Sequence, residues 1–126
     1  MSTLKVTNIK ATGETASRAV SGVTAFWVSF VGTGTASVSG SLNQSSLTDN
    51  GTGNYTHTFV SAFSAGNYCF QLACKDGATA GRGRHCAPQA ASTYSTTAFQ
   101  SEFQNDDSNA MQDVDDGSVS AHGDLA

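Results

Sequence analysis

Three histidines (His57, His85, His122), three cysteines (Cys69, Cys74, Cys86) and ten Asp and Glu residues are the groups in this chain able to move protons or hold metal ions. Their spacing gives them little to work with. Cys74, His85 and Cys86 come nearest to a zinc site, but they form no Cys-x-x-Cys pair and a structural site needs four ligands. His57 alternates with Tyr55 and Phe59, which places it among packed side chains rather than at a solvent-facing base. Residues 105–109 and 113–117 resemble pieces of calcium loops, without the full spacing or the closing glutamate. Gly32-Thr33-Gly34 and Gly51-Thr52-Gly53 lack the further glycines or lysine of a phosphate-binding loop, and no Gly-x-Ser-x-Gly elbow occurs. With 17 Ser and 15 Thr, a Ser/His/Asp trio follows from composition alone. The expectation is a protein that is not an enzyme, with no catalytic residues, no metal and no cofactor.

Composition narrows the class further. The chain has 126 residues, one domain's worth, and only 13% of them are charged. Leu, Ile, Val and Phe together number 22, a thin supply for a core. Net charge is only −4, which argues against disorder. Six basic residues without a cluster argue against a nucleic-acid partner, and no apolar run is long enough for a membrane span. The acids are unevenly placed, with seven of the ten lying from Glu102 onward, where no Lys or Arg stands. Cys69 and Cys74 are about 16 Å apart if they share a strand, and they point to opposite faces, so they cannot bridge each other. Cys86 is left free to pair with either. The first residues lack the apolar stretch of a secretory signal, so reduced thiols are expected.

The elements that must carry these residues are strands. Residues 23–30, 54–60, 67–75 and 93–103 alternate with period two, and residues 4–9 and 118–122 are shorter candidates. Phe26, Val28, Phe30, Tyr55, Phe59, Tyr68, Phe70 and Leu72 are the expected core. Gly- and Asn-rich clusters at 32–35, 49–54, 75–77 and 115–117 are expected to turn the chain between antiparallel strands. The expected fold is all-β, an antiparallel β-sandwich or small jelly-roll-like barrel of roughly seven to nine strands. Within one domain over 1–126, residues 1–22 form an N-terminal strand or arm and 104–126 an acidic turn and closing strand. Residues 76–92, with no strand signal, read as a long contact loop.

The segment from Ala25 to Thr35, with Phe30, Gly32, Thr33, Gly34 and Thr35, is followed by Ser45-Ser46-Leu47-Thr48-Asp49-Asn50-Gly51-Thr52-Gly53-Asn54-Tyr55-Thr56. Together they resemble a module of tailed-bacteriophage structural proteins found in marine-phage tail-fibre and other virion proteins. That module reads F-x-G-T-G-T, then SSITDNGTGxYTxxF, then an ANY strand, which Ala65-Gly66-Asn67-Tyr68 resembles. Residues 2–9 and 119–124 are similar to the ends of small marine-phage virion proteins. His57 stands where the module usually has an aliphatic residue, His122 replaces an aromatic, and the 76–92 loop lies outside the pattern.

The resemblance implies a non-enzymatic virion component, assembled in the host cytoplasm. The chain has no coiled-coil heptad or collagen repeat from which to build a fibre shaft. The expectation is therefore a capsid decoration or cement protein on the capsid surface, bridging capsomers through contacts with the major capsid protein or other virion proteins. A homotrimer is the oligomer the resemblance implies. Leu4, Val6, Ile9, Arg82, Arg84 and His85 are the candidate partner-contact residues. The alternative is a receptor-binding module of a tail fibre, spike or head fibre, and host surface glycans are an expected partner only there.

Overall fold

In the computed structural model, residues 8–9, 18–19, 23–75, 84–88 and 94–126 are described. All the regular structure among them is β. A short antiparallel pair, β1 (Asn8–Ile9) and β2 (Arg18–Ala19), precedes eight further strands. These are β3 (Thr24–Val31), β4 (Ser37–Leu42), β5 (Gln44–Gly51), β6 (Asn54–Phe59), β7 (Cys69–Lys75), β8 (Arg84–Pro88), β9 (Ala98–Asn105) and β10 (Asp116–His122). They form two four-stranded antiparallel sheets, ordered β4-β3-β10-β7 and β5-β6-β9-β8. The two sheets pack face to face. The molecule is a β-sandwich.

Alternation decides which side chains meet between the sheets. Phe26, Val28 and Phe30 of β3 point inward with Val119 and Ala121 of β10, while Tyr55, His57 and Phe59 of β6 face them beside Phe99, Ser101 and Phe103 of β9. The small supply of aliphatic residues is offset by rings, since each aromatic buries about 150–250 Å². Phe26 meets Phe59 edge-on at 4.9 Å, and Phe30 meets Tyr55 at 5.0 Å. Phe63 stacks on Tyr68 at 4.3 Å where the chain passes from β6 to β7.

Both ends of the sandwich are tied by backbone bonds. At one, Asn43 sits alone between β4 and β5 with φ 62°, a left-handed conformation that asparagine tolerates. It turns the chain from one sheet into the other, and its side-chain amide exchanges two hydrogen bonds with the Ser61 backbone, at 2.7 and 3.0 Å. Near the C-terminus, Ser64 N–H donates to the Asp124 carbonyl and Ala126 N–H to that of Ala62, both at 2.8 Å. At the other end, residues 106–115 leave β9, fold back on it, and cross to β10. Val114, fully buried, accepts at its carbonyl the N–H groups of Gly32 and Thr33 at 2.8 and 3.2 Å.

Several sequence expectations need correction. Residues 84–88, read as part of a contact loop, are the edge strand β8, paired with β9 from Arg84 opposite Asn105 to Pro88 opposite Ser101. Pairing to a strong aromatic neighbour overrides the weak local propensity, and a proline is tolerated at an edge. Residues 37–42 and 44–51 are also edge strands; serines on both faces hide the alternation. The run expected at 93–103 begins only at Ala98, because Ser95 closes a turn onto the Ala98 carbonyl and N–H. Gly117 lies inside β10 rather than in a turn, where a side chain would collide with the Phe30 ring. Phe70 and Leu72 do pack against the core as expected, but are only partly buried, because β7 is an edge strand. Residues 4–7 and the remainder of 76–92 up to 93 lie outside the described residues.

This difference in burial is measurable. Phe26→Ala should cost about 3–5 kcal/mol of unfolding free energy, whereas Phe70→Ala should cost clearly less. Urea unfolding of the two variants side by side checks the order.

Candidate contact surfaces

Of the expected contact residues, Leu4, Val6 and Arg82 lie outside the described residues. Ile9 pairs with Arg18 in the β1–β2 ladder, and Arg84 opens β8. His85, next along β8, is exposed on the outer side of its sheet and is held at both nitrogens. Nδ1 lies 2.8 Å from an Asp106 carboxylate oxygen and Nε2 3.0 Å from the Gln104 carbonyl oxygen. Both partners accept, so the doubly protonated ring satisfies both. The hydrogen bond to Asp106 first, and that to Gln104 second, raise the His85 pKa. Arg84 and His85 thus stand on the strand that ends its sheet among the described residues.

Adjacent residues on a strand face opposite ways, and this dismantles the imagined zinc site. Cys86 turns inward and hydrogen-bonds the Cys74 thiol, while His85 turns outward. Burial, the larger effect, pushes the Cys86 thiol up. Cys69, on the outer face of β7, is exposed, and none of the three cysteines forms a disulfide. Among the described residues no group of three or more His, Cys, Asp or Glu is placed to hold a metal ion. The calcium-like fragments have other duties. Asn105 accepts the Asp107 N–H in a turn, and Asp113 is bound to Gly53 and Tyr55.

His57 and Ser101 are a pair that sequence spacing did not announce. They face each other between β6 and β9, with Nε2 2.9 Å from the serine hydroxyl, and neither residue is exposed. No carboxylate orients the ring, and Nδ1 has no partner. Phe99 stacks on the imidazole at 4.8 Å and Phe30 meets it edge-on at 5.2 Å. A nucleophile and base need access and an orienting third group. Here the pair is core packing. Burial lowers the His57 pKa to about 3, so the ring is neutral.

The Asp113 contacts are the tightest polar cluster in the molecule. Its carboxylate accepts the Gly53 N–H at 2.7 Å and the Tyr55 hydroxyl at 2.9 Å, while that hydroxyl also reaches the Gly32 carbonyl at 3.2 Å. A side chain at Gly32 would fall on the Tyr55 hydroxyl. Gly53, at φ 67°, is pressed against the Phe103 carbonyl and the Gln112 backbone, so both its conformation and its surroundings require glycine. Desolvation, then the Asp113 bond, raise the Tyr55 pKa. The outer face of β3, β10 and β7 offers a different surface, an open groove of about 640 Å³ lined by residues that include Trp27, Ser29, Gln71 and Ser120.

Comparison with protein-family models, curated proteins and solved structures finds no match for this chain.

His57 and His85 should titrate in opposite directions from 6.5. The unfolded chain protonates His57 near 6.5 and the folded one only near 3. Between those values the unfolded state binds the extra proton, so stability falls as pH falls, by up to about 1.4 kcal/mol per pH unit. Urea unfolding between pH 7 and pH 4 should lose that slope when His57→Leu is combined with Ser101→Ala. His85, titrated by NMR, should instead protonate above 6.5.

Proposed function

We propose that this protein is a non-enzymatic structural component of a tailed-bacteriophage particle, carried on the capsid surface as a decoration protein that bridges neighbouring capsomers. One observation carries the reading. The residues through which the chain resembles the phage module include the interlocked ones, with Gly32 of F-x-G-T-G-T meeting Tyr55 of GTGxYT and Gly53 bonding Asp113. The shared pattern therefore falls on residues that specify the fold, where a chance match in a Ser-, Thr- and Gly-rich chain would fall on solvated turns.

The geometry suits clamping. A rigid aromatic core leaves β4, β5, β7 and β8 as sheet edges, each a template for strand addition by a neighbour. Arg84 and His85 stand on one such edge, and Arg82, Leu4, Val6 and Ile9 are the further contacts the sequence offers to the major capsid protein. Assembly as a homotrimer would cover apolar side chains such as Val38, which is 42% exposed. Decoration of this kind works by many modest contacts, so avidity replaces individual affinity.

Copy number in purified particles tests the proposal. Quantitative mass spectrometry against the major capsid protein should find copies on the order of hundreds, as many-site avidity requires. A few to a few dozen copies, with purified protein blocking host adsorption, would instead assign it to a fibre or spike.

A further inference from the structure

The outer face of the β4-β3-β10-β7 sheet carries an arrangement that clamping by sheet edges does not use. Strand register places Leu42, Trp27, Ser120 and Gln71 in one row across the four strands, and Gly40, Ser29, Ser118 and Ala73 in the next. Trp27 is 40% exposed, unusual for the largest apolar side chain in the protein. Its ring lies over Gly40, where a side chain would approach the indole to 3.3 Å. The absent side chain lets the indole rest along the sheet and leaves the floor beside it low. The groove that results, about 640 Å³, is within the roughly 300–1,000 Å³ range of small-molecule sites.

The chemistry of the lining is selective. Among the described residues it contains no charged side chain. Asp116, at the margin, is turned to the Ser29 hydroxyl at 3.4 Å. The side chains of Gln71, Ser118 and Ser120 make no hydrogen bond among the described residues, so their donors and acceptors remain available to a ligand. The nearest cation on this face, Lys75, stands beyond the lining and directly opposite Asp116, so an anion gains little here, and a purely apolar partner would bury those amide and hydroxyl groups without partners. What matches is a neutral ligand with an apolar face and a rim of hydroxyls. A pyranose ring has that form, since its axial C–H bonds can sit on the negative face of an indole while its equatorial hydroxyls reach sideways.

We propose that this groove binds a neutral oligosaccharide, with one pyranose ring stacked on Trp27 and its hydroxyls bonded to Gln71, Ser120 and Ser118. The inference is independent of where the protein sits in a particle. Trp27 is the one tryptophan in the chain, so its fluorescence reports on this face alone. Titration with maltotriose, cellotriose, mannotriose, N-acetylated chitotriose and lactose should give, for at least one of them, a saturable fluorescence change with amide shifts confined to β3, β10 and β7. Trp27→Ala, followed by those amide shifts, should weaken binding about 10-fold or more, and Gln71→Ala should weaken it several-fold in a protein whose Trp27 still reports. Sialyllactose should bind no better than lactose. No response to any of these sugars at millimolar concentration would overturn the proposal, as would binding unchanged in both variants or a preference for the charged sugar. A Trp27 blue shift that follows protein concentration and dimer mass, without sugar, would give the face to a second copy and overturn it equally.

Discussion

The Tyr55 hydroxyl holds the two sheets in one relation. It rises from β6 in one sheet, accepts no substitute at Gly32 beyond the end of β3 in the other, and is fixed by the Asp113 carboxylate from the segment that crosses between them. The same carboxylate binds the Gly53 N–H, so the β5–β6 turn is fastened to the crossing as well. A buried hydroxyl and a carboxylate that lose their partners each incur a desolvation penalty, which makes misregistered packing of the sheets expensive. Val114 follows Asp113 directly and seals that end of the core with its side chain while its carbonyl binds the Gly32 and Thr33 backbone. One short crossing segment therefore satisfies hydrogen bonds, closes the core and sets the alignment of β10.

From that alignment follows the division of labour between the faces. Inward positions are filled largely by aromatic rings in contact, and burial keeps the His57 ring among them neutral. Outward positions are rich in hydroxyls, and β4, β5, β7 and β8 form the edges of the described sheets. Among the described residues the buried His57–Ser101 pair is enclosed in the core, with no partner at Nδ1. The alternation that buries Phe26, Val28 and Phe30 is the same alternation that puts Trp27 and Ser29 outside. Core and groove are two sides of β3.

The fold was largely legible because period-two patterning in β3, β6 and β9 is strong wherever aromatics alternate with Ser and Thr. It faded at the margins. Edge strands β4 and β5 carry small polar residues on both faces and owe their form to ladder partners, so residues 37–51 carried no apolar stripe to read. β8 has no β-branched residue and is specified by β9, a long-range effect that local propensity does not contain. The tie between Asp113 and Tyr55 spans 58 positions and has no local signature; Gly32 and Gly53 read in the sequence only as turn glycines. The expected contact residues rest on charge and position in the chain. The Trp27 groove needed the register of four strands before its rows could be seen.

The central claim is that the Tyr55–Asp113 bond couples the two sheets, and a double-mutant cycle tests it most directly. Unfolding free energies would be measured for the parent chain, Tyr55→Phe, Asp113→Asn and the double variant under one set of conditions. Coupling through a shared buried bond predicts that the double variant loses less than the sum of the single losses, by about 1 kcal/mol or more. Single losses that add to within about 0.5 kcal/mol would show the two groups acting independently, and would contradict the account.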